Sequence, residues 1–181
     1  DGLKGQASIS RDNQTLVAAD GGSLQAGDLL FTSAGASIEL QLSRYGRLEL
    51  GSGTQLMIEK LPFSSYASDR HTVVELRGGY LHLVWKHPGQ VEDWLLQIDF
   101  GSERLSLNSG EFFFDRSAEG RKFCVASGSA VQTSSAVLEG PACYLIEESG
   151  APRKVARSSA DFIAMRDTRA VQMPAPKAPL K

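Results

Sequence analysis

The stretch VVELRGGYLHLVW, residues 73–85, alternates apolar and polar side chains on both sides of a glycine pair. Alternation with a period of two is typical of a β-strand with one buried face. Glycine permits a tight turn or bulge without a Cβ clash. The stretch therefore predicts two strands joined at the glycines. The buried face of the second strand would carry Leu81, Leu83 and Trp85, and the outward face Tyr80, His82 and Val84.

The same phrase recurs along the chain as apolar-x-x-Gly-x-apolar-x-apolar. It fits residues 24–31, 76–83 and 107–114, with looser copies around Gly128 and Gly140. The residues two and four positions after each glycine are expected on the buried face. In the three full copies these are Leu29 and Phe31, Leu81 and Leu83, and Phe112 and Phe114. The glycine spacing is uneven, so the repetition is weaker than a solenoid signature.

Strand periodicity dominates the chain up to about residue 150. Short alternating segments lie between turn signals such as Asp20-Gly21-Gly22 and Gly140-Pro141. Short strands at close spacing predict an all-β fold. We expect either an irregular β-solenoid or a two-sheet β-sandwich, built from short glycine-punctuated strands.

The composition shifts near Gly150, where we place a domain boundary. Residues 1–150 would form the all-β domain, and residues 151–181 a polar linker with a C-terminal tail. Ser159 can cap a short helix over residues 160–171. The proline-rich end QMPAPKAPLK favours an extended or disordered chain.

The charge balance excludes some classes of function. The 181 residues include 19 basic and 21 acidic ones, for a net charge of −2. A nucleic-acid binder would need a concentrated basic face. No apolar run approaches the length of a membrane-spanning helix. No signal peptide is visible at Asp1, which does not exclude export.

No motif in the sequence predicts catalysis or a cofactor. The three histidines, His71, His82 and His87, have no ligand-like spacing, and there is no Gly-x-Ser-x-Gly elbow. Adjacent carboxylates such as Glu92-Asp93 point to opposite faces of a strand, which is a poor arrangement for acid–base work. We expect a protein that is not an enzyme and that binds neither metal nor cofactor.

The aromatic residues suggest a binding surface. Most of them fall on faces that alternation predicts to be buried, where aromatics dominate core packing. Phe113 and Tyr80 are the exceptions, because both should point outward. An exposed Phe113 beside Tyr80, His82 and Val84 would mark a surface for a partner or ligand.

The order of these phrases resembles the FecR domain family. The matching segments are Gly5–Ile9, Leu24–Leu29 with Thr32, Ile38–Ile58, Glu75–Val84, Cys124–Gln132 and Leu138–Ile146. Together they cover roughly residues 5–147. The chain departs from the family pattern at residues 98–115, which lack the usual proline, and at Tyr45, where an aspartate is usual.

The resemblance implies a periplasmic β domain that binds a protein partner in envelope sensing or signalling, with sigma-factor regulation as the family role. The signal sequence or membrane anchor of such a protein is expected outside this chain. The alternative is a glycan- or peptidoglycan-binding module, which would need two or three aromatics exposed in one groove.

Cys124 and Cys143 enclose 18 residues and can lie on neighbouring strands. A disulfide between them would suit an oxidising periplasm. Two separate buried thiols are the other interpretation, because free cysteine packs as a small hydrophobe. The sequence leaves both open.

Overall fold

A computed structural model describes residues 3–42, 45–61, 70–86, 94–118, 120–132, 136–147 and 152–155. Every regular element in these ranges is a β-strand, which confirms the predicted all-β class. The strands are β1 (Leu3–Lys4), β2 (Ala7–Arg11), β3 (Gln14–Val17), β4 (Leu29–Thr32), β5 (Ser37–Leu42), β6 (Gly46–Leu50), β7 (Gln55–Lys60), β8 (Arg70–Trp85), β9 (Trp94–Phe100), β10 (Glu103–Ser117), β11 (Gly120–Gln132), β12 (Val137–Glu139), β13 (Ala142–Ile146) and β14 (Arg153–Val155).

Three long strands, β8, β10 and β11, are shared by two layers. The first half of β8 lies between β7 and β9, and its second half lies between β6 and β10. In the same way, the first part of β10 pairs with β9 and its second part with β8. The first part of β11 pairs with β13 and its second part with β12. Hydrogen bonding therefore continues through one large sheet that folds over on itself, an arrangement closer to the predicted sandwich than to a solenoid.

The two layers have definite strand orders. The first runs β3-β2-β4-β7-β8-β9-β10-β11-β12, and the second runs β1-β5-β6-β8-β10-β11-β13-β14. Among the described strands, β8 and β9 form the one parallel pair. The layers therefore end in β3 and β12, and in β1 and β14, as far as the described residues extend.

The long strands bend at the glycines of the repeated phrase. The predicted break into separate strands is wrong, because each strand continues through its glycine. Gly79 has φ +86°, and a Cβ there would lie 2.5 Å from the Cα of Thr54. Gly110 and Gly128 face each other across β10 and β11, where a Cβ on either would overlap a backbone oxygen. The bend needs residues without side chains because the backbones meet there.

The bend also decides which side chains enter the core. Residues on one face of a regular strand are separated by an even number. Across each bend the buried residues are five apart, as in the pairs Leu76 and Leu81, Leu107 and Phe112, and Val125 and Ala130. The irregularity at the glycine thus changes which side faces inward, and both halves of each strand bury their apolar side chains.

The bend in β8 is braced by a buried threonine. The Thr54 hydroxyl accepts a hydrogen bond from the Tyr80 N–H and donates one to the Tyr80 carbonyl, both at 3.0 Å. Thr54 also donates its own N–H to Thr32 Oγ1 at 2.8 Å. These bonds give acceptors to the Tyr80 and Thr54 N–H groups, and the Tyr80 carbonyl accepts a second bond from the Gly51 N–H at 3.0 Å.

The main core lies between the two layers. Leu81, Leu83 and Trp85 are buried as predicted, and so are Phe112 and Phe114. The Phe100 ring of the first layer meets the Phe114 ring of the second edge to face, with centroids 5.5 Å apart. This contact joins the layers directly.

For one copy of the repeated phrase, the predicted buried face is wrong. Leu30 and Thr32 are buried, whereas Leu29 and Phe31 lie half-buried on the outer face. Here the glycine, Gly27, stands in a turn before β4 and not inside a strand that joins the layers. The bulge that shifts the buried positions in β8 is therefore absent.

The β structure continues past Gly150. Strand β14 pairs antiparallel with β13, so residues 153–155 belong to the second layer. The predicted helix over residues 160–171 and the proline-rich end lie outside the described residues.

Candidate interaction surfaces

The outer face of the second layer carries one continuous row of side chains. Directly opposed residues follow one another across neighbouring strands. In strand order the row is Glu39, Glu49, His82, Phe113, Cys124, Cys143 and Val155. It contains two members of the predicted surface, His82 and Phe113, and both cysteines. The four outward-pointing residues predicted from alternation thus do share this face.

His82 is held within this row by three neighbours. Its ring stacks on Phe113, with centroids 4.5 Å apart and planes 5° from parallel. His82 Nε2 lies 2.9 Å from Glu111 Oε1, and Nδ1 lies 3.5 Å from Glu49 Oε2. The histidine thus links β6, β8 and β10 on the outer face.

The structure contains a disulfide between Cys124 and Cys143, the first of the two alternatives that the sequence left open. The two residues are directly opposed on β11 and β13, with their Cα atoms 4.0 Å apart. Tyr80 and Phe113 pack with the disulfide in a second apolar cluster, against which Val155 of β14 is packed.

This second cluster corrects the predicted exposure. Tyr80, His82 and Phe113 point away from the main core, yet all three are buried. The neighbouring strands and the disulfide cover them, which alternation in β8 and β10 alone does not reveal. Val84 is exposed as expected, at 38%. A binding role for these four residues stays a prediction.

A different surface lies at the edge of the first layer. Asp12 and Asn13 form the turn between β2 and β3 with φ values of 49° and 62°, typical of a tight hairpin. Next to such a turn, hydrogen-bonded and non-hydrogen-bonded pairs alternate. Thr15 and Val17 occupy the non-hydrogen-bonded positions, and the Ala18 N–H again bonds to Ala7, at 3.0 Å. The N–H and C=O groups of Thr15 and Val17 therefore point away from β2.

The side chains of β3 are open to solvent as well. Val17 is 86% exposed and Leu16 38%. On the outer face Val17, Ser8 and Phe31 lie side by side on three strands. They line an open groove of about 390 Å³, together with Gln6, Ala7, Thr32 and Ser33. Val17 and Phe31 contribute large apolar side chains to its lining.

An ion pair fixes the turn end of this hairpin. The Arg11 guanidinium donates two hydrogen bonds of 2.7 Å to the Asp28 carboxylate, whose side chain is fully buried. The Gln25 N–H donates a third bond to Asp28 at 2.8 Å. The hydrogen bonds from Arg11 lower the pKa of Asp28, against the opposing effect of its burial. The same bonds raise the pKa of Arg11.

A charged cluster lies on the outer face of the first layer, on strands β7, β9 and β10. Arg104 pairs with Asp99 and reaches Glu59 at 3.4 Å. Burial, together with the Asp99 charge, raises the pKa of Glu59. The hydrogen bonds to Asp99 raise the pKa of Arg104. These groups pair with one another and form a solvated polar face.

Within the described ranges, no three histidine, cysteine or carboxylate side chains are placed to hold a metal ion. No helix in those ranges is long and apolar enough to cross a membrane.

The sequence interpretation missed the β3 edge. The sequence carries two signals for this edge. One is the alternating segment ASISR, and the other is the pair Asp12-Asn13 between that segment and QTLV. Asparagine and aspartate tolerate the positive φ that a two-residue hairpin requires. The burial of Asp28 had no comparable local signal, because its partner Arg11 is 17 residues away.

The fold has solved counterparts. Two crystal structures described as a "putative anti-sigma factor" from Parabacteroides distasonis superpose with a TM-score of 0.59 each, at 14% and 13% identity. Each covers 76% of this chain, and this chain spans 63% and 64% of theirs. At such identity the likeness concerns the fold alone. No family model and no curated protein matches the sequence.

Proposed function

We propose that this chain is a non-enzymatic interaction domain of the periplasm that binds an extended segment of a protein partner along β3, in envelope sensing or signalling. The observation that carries the proposal is the outward-pointing backbone of Thr15 and Val17. A strand edge of this kind supplies affinity through main-chain hydrogen bonds, and a neighbouring groove supplies specificity.

The strands at the other ends of the two layers support the choice of β3. Proteins protect sheet edges against unwanted pairing with charged residues or proline. Among the described strands that end a layer, β1 carries Lys4, β12 carries Glu139, and β14 carries Arg153 and Lys154. Strand β3, with the sequence QTLV, carries no charge and no proline. It is therefore the edge most open to strand addition.

Two observations support the finer parts of the proposal. Disulfides persist in oxidising compartments, so the bond between Cys124 and Cys143 favours the periplasm over the cytoplasm. The solved structures that share the fold are described as those of an anti-sigma factor, which favours a role in sigma-factor regulation. The alternative glycan module would need two or three aromatics exposed in one groove, whereas among the described residues the groove beside β3 is lined by a single aromatic, the half-buried Phe31.

The first test places a photo-crosslinking amino acid at position 17 and recovers adducts from the periplasm. The matched control places it at Val137, which is 59% exposed on β12 at the other end of the same layer. We expect a discrete protein adduct at position 17 and not at position 137. Mapping the linked fragment gives the partner segment. Adducts containing only glycan at position 17 would instead favour the alternative module.

The second test measures strand addition directly. A synthetic peptide of the mapped segment should protect the Thr15 and Val17 amides from hydrogen exchange, because those two N–H groups would become hydrogen-bonded. Thr15→Pro removes one outward donor and should weaken binding by about tenfold or more. Thr15→Val retains the donor and should bind normally. Binding that leaves both amides unprotected would rule out β3 addition.

A further inference from the structure

We propose that Arg116 and Arg121 form a binding site for a single oxyanion, a carboxylate or a phosphate, at one end of the two-layer core. The site is separate from the β3 edge and does not depend on the function proposed above. It rests on the partners of the arginines, on their placement, and on one buried nitrogen.

The arginines of this protein divide into two groups. Where the structure describes the side chain, five arginines pair with a carboxylate: Arg11, Arg47, Arg77, Arg104 and Arg153. Within the same ranges, Arg116 and Arg121 form no ion pair. These two residues are directly opposed on β10 and β11. Like charges opposed on neighbouring strands repel each other, so the pair needs an anion that the described part of the chain does not supply.

Both arginines reach from the second layer towards the first. They follow Phe114 and precede Phe123 on the inward faces of their strands. Arg116 Nη1 donates to the Leu76 carbonyl at 2.7 Å. The Arg121 guanidinium lies against Gly101 in the turn between β9 and β10, where any Cβ would overlap it. The two side chains thus converge on the opening between the layers.

The hydrogen bonding of Arg121 is incomplete. Its Nη2 is buried and has no hydrogen-bond partner among the residues that the structure describes. A buried donor without an acceptor is costly, most of all when it carries charge. Both side chains are partly exposed, so an anion can approach from the solvent side. Guanidinium groups bind carboxylate and phosphate through paired N–H donors, and one oxyanion between the two arginines would satisfy both.

The test is a titration followed by NMR of the arginine Nε–Hε groups of the whole chain. The probes are sodium phosphate and sodium acetate, at constant ionic strength balanced with sodium chloride. We expect saturable shifts at Arg116 and Arg121, and only small linear shifts at Arg47 and Arg153. Saturation by acetate would assign a carboxylate, such as an acidic side chain of a partner. Saturation by phosphate alone would assign a phosphate group.

Variants separate binding from general electrostatics. Arg121→Gln should weaken the apparent affinity at Arg116 about tenfold or more. Arg121→Lys keeps the charge without the planar fork, and should bind with intermediate affinity even if the glutamine variant folds poorly. Arg47→Gln removes one charge elsewhere on the same layer and should bind like the wild type. Shifts that never saturate, or equal affinity in all variants, would overturn the proposal.

Discussion

Asp28 shows how one buried carboxylate can couple stability to pH. Its pKa lies below the ordinary value of 3.8 because Arg11 donates hydrogen bonds to it. A carboxyl group whose folded pKa is lowered stabilises the protein above its unfolded pKa. This contribution is lost as the pH falls through the folded pKa.

Asp28→Asn should therefore lower the free energy of unfolding by about 2 kcal/mol near neutral pH, because Arg11 loses its charged partner. The difference from the wild type should stay constant down to about pH 5 and shrink below about pH 4. Urea unfolding at several pH values measures it. A difference that grows as the pH falls would contradict the assigned role of the ion pair.

Two adjacent glycines provide a matched pair of variants at the bend in β8. Gly79 has φ +86°, and a Cβ there would collide with the backbone of Thr54, whereas a Cβ on Gly78 would meet nothing within 4 Å. Gly79→Ala should cost about 2 kcal/mol or more, or prevent folding. Gly78→Ala should change the free energy of unfolding by less than about 1 kcal/mol. Equal effects would show that the bend does not depend on Gly79.

At the scale of single elements, the disulfide ties β13 to the shared strand β11. The crosslink restricts the unfolded chain over a sequence separation of 19 residues. By loop-closure entropy this is worth about 3 kcal/mol. The double variant Cys124→Ala and Cys143→Ala should lose about that amount in urea unfolding. Reduction of the wild type should give a similar loss. Two free thiols in the non-reduced protein from its native compartment would contradict the bond itself.

The two short edge strands β3 and β14 differ in how well they are protected against pairing with another chain. Strand β14 ends the second layer with Arg153 and Lys154, while β3 ends the first with exposed and uncharged side chains. Charge on an edge strand discourages pairing with another chain. Partner binding is therefore expected at one end of the folded sheet and discouraged at the other.

At the scale of the whole molecule, the shared strands predict cooperative unfolding. Neither layer can separate without breaking β8, β10 and β11, which contribute to both. We expect one transition, with the same midpoint by tryptophan fluorescence and by far-ultraviolet circular dichroism. Because Trp94 of β9 would also contribute, the fluorescence is measured in Trp94→Phe, where the signal comes from Trp85 in the second half of β8 and reports on the second layer. A fluorescence transition that precedes the loss of β structure would indicate that the layers unfold separately.

The sequence predicted some of these features and not others, for identifiable reasons. Alternation correctly placed Leu81, Leu83 and Trp85 in the core, because a period of two defines a face. It could not show that the opposite face is also covered, since Cys143 and Val155 come from strands distant in sequence. The run of three phenylalanines at residues 112–114 was the available signal, because consecutive apolar residues indicate a strand buried on both faces.

The candidate surfaces were harder to predict than the core. An open strand edge depends on which strands lack neighbours, and that is a property of topology. The Arg116 and Arg121 pair depends on hairpin register, and on the lack of an ion pair to either arginine among the described residues. Neither leaves a local pattern in the sequence. The sequence predicted the disulfide as one of two alternatives, because both cysteines lie in strand segments. The register of those strands decides whether the two cysteines pair or are buried separately.

The five-residue interval at each bend limits how this sequence can change in length. Deletion of one residue inside the interval would turn the following half-strand over and expose its apolar side chains. Two of the three bends also lie beside one another, with Gly110 opposite Gly128, so a shift in one would misalign the other. Insertions and deletions should therefore collect in the connecting loops. In related sequences, the three bent segments should keep their lengths, while many of the residues on their outer faces should vary.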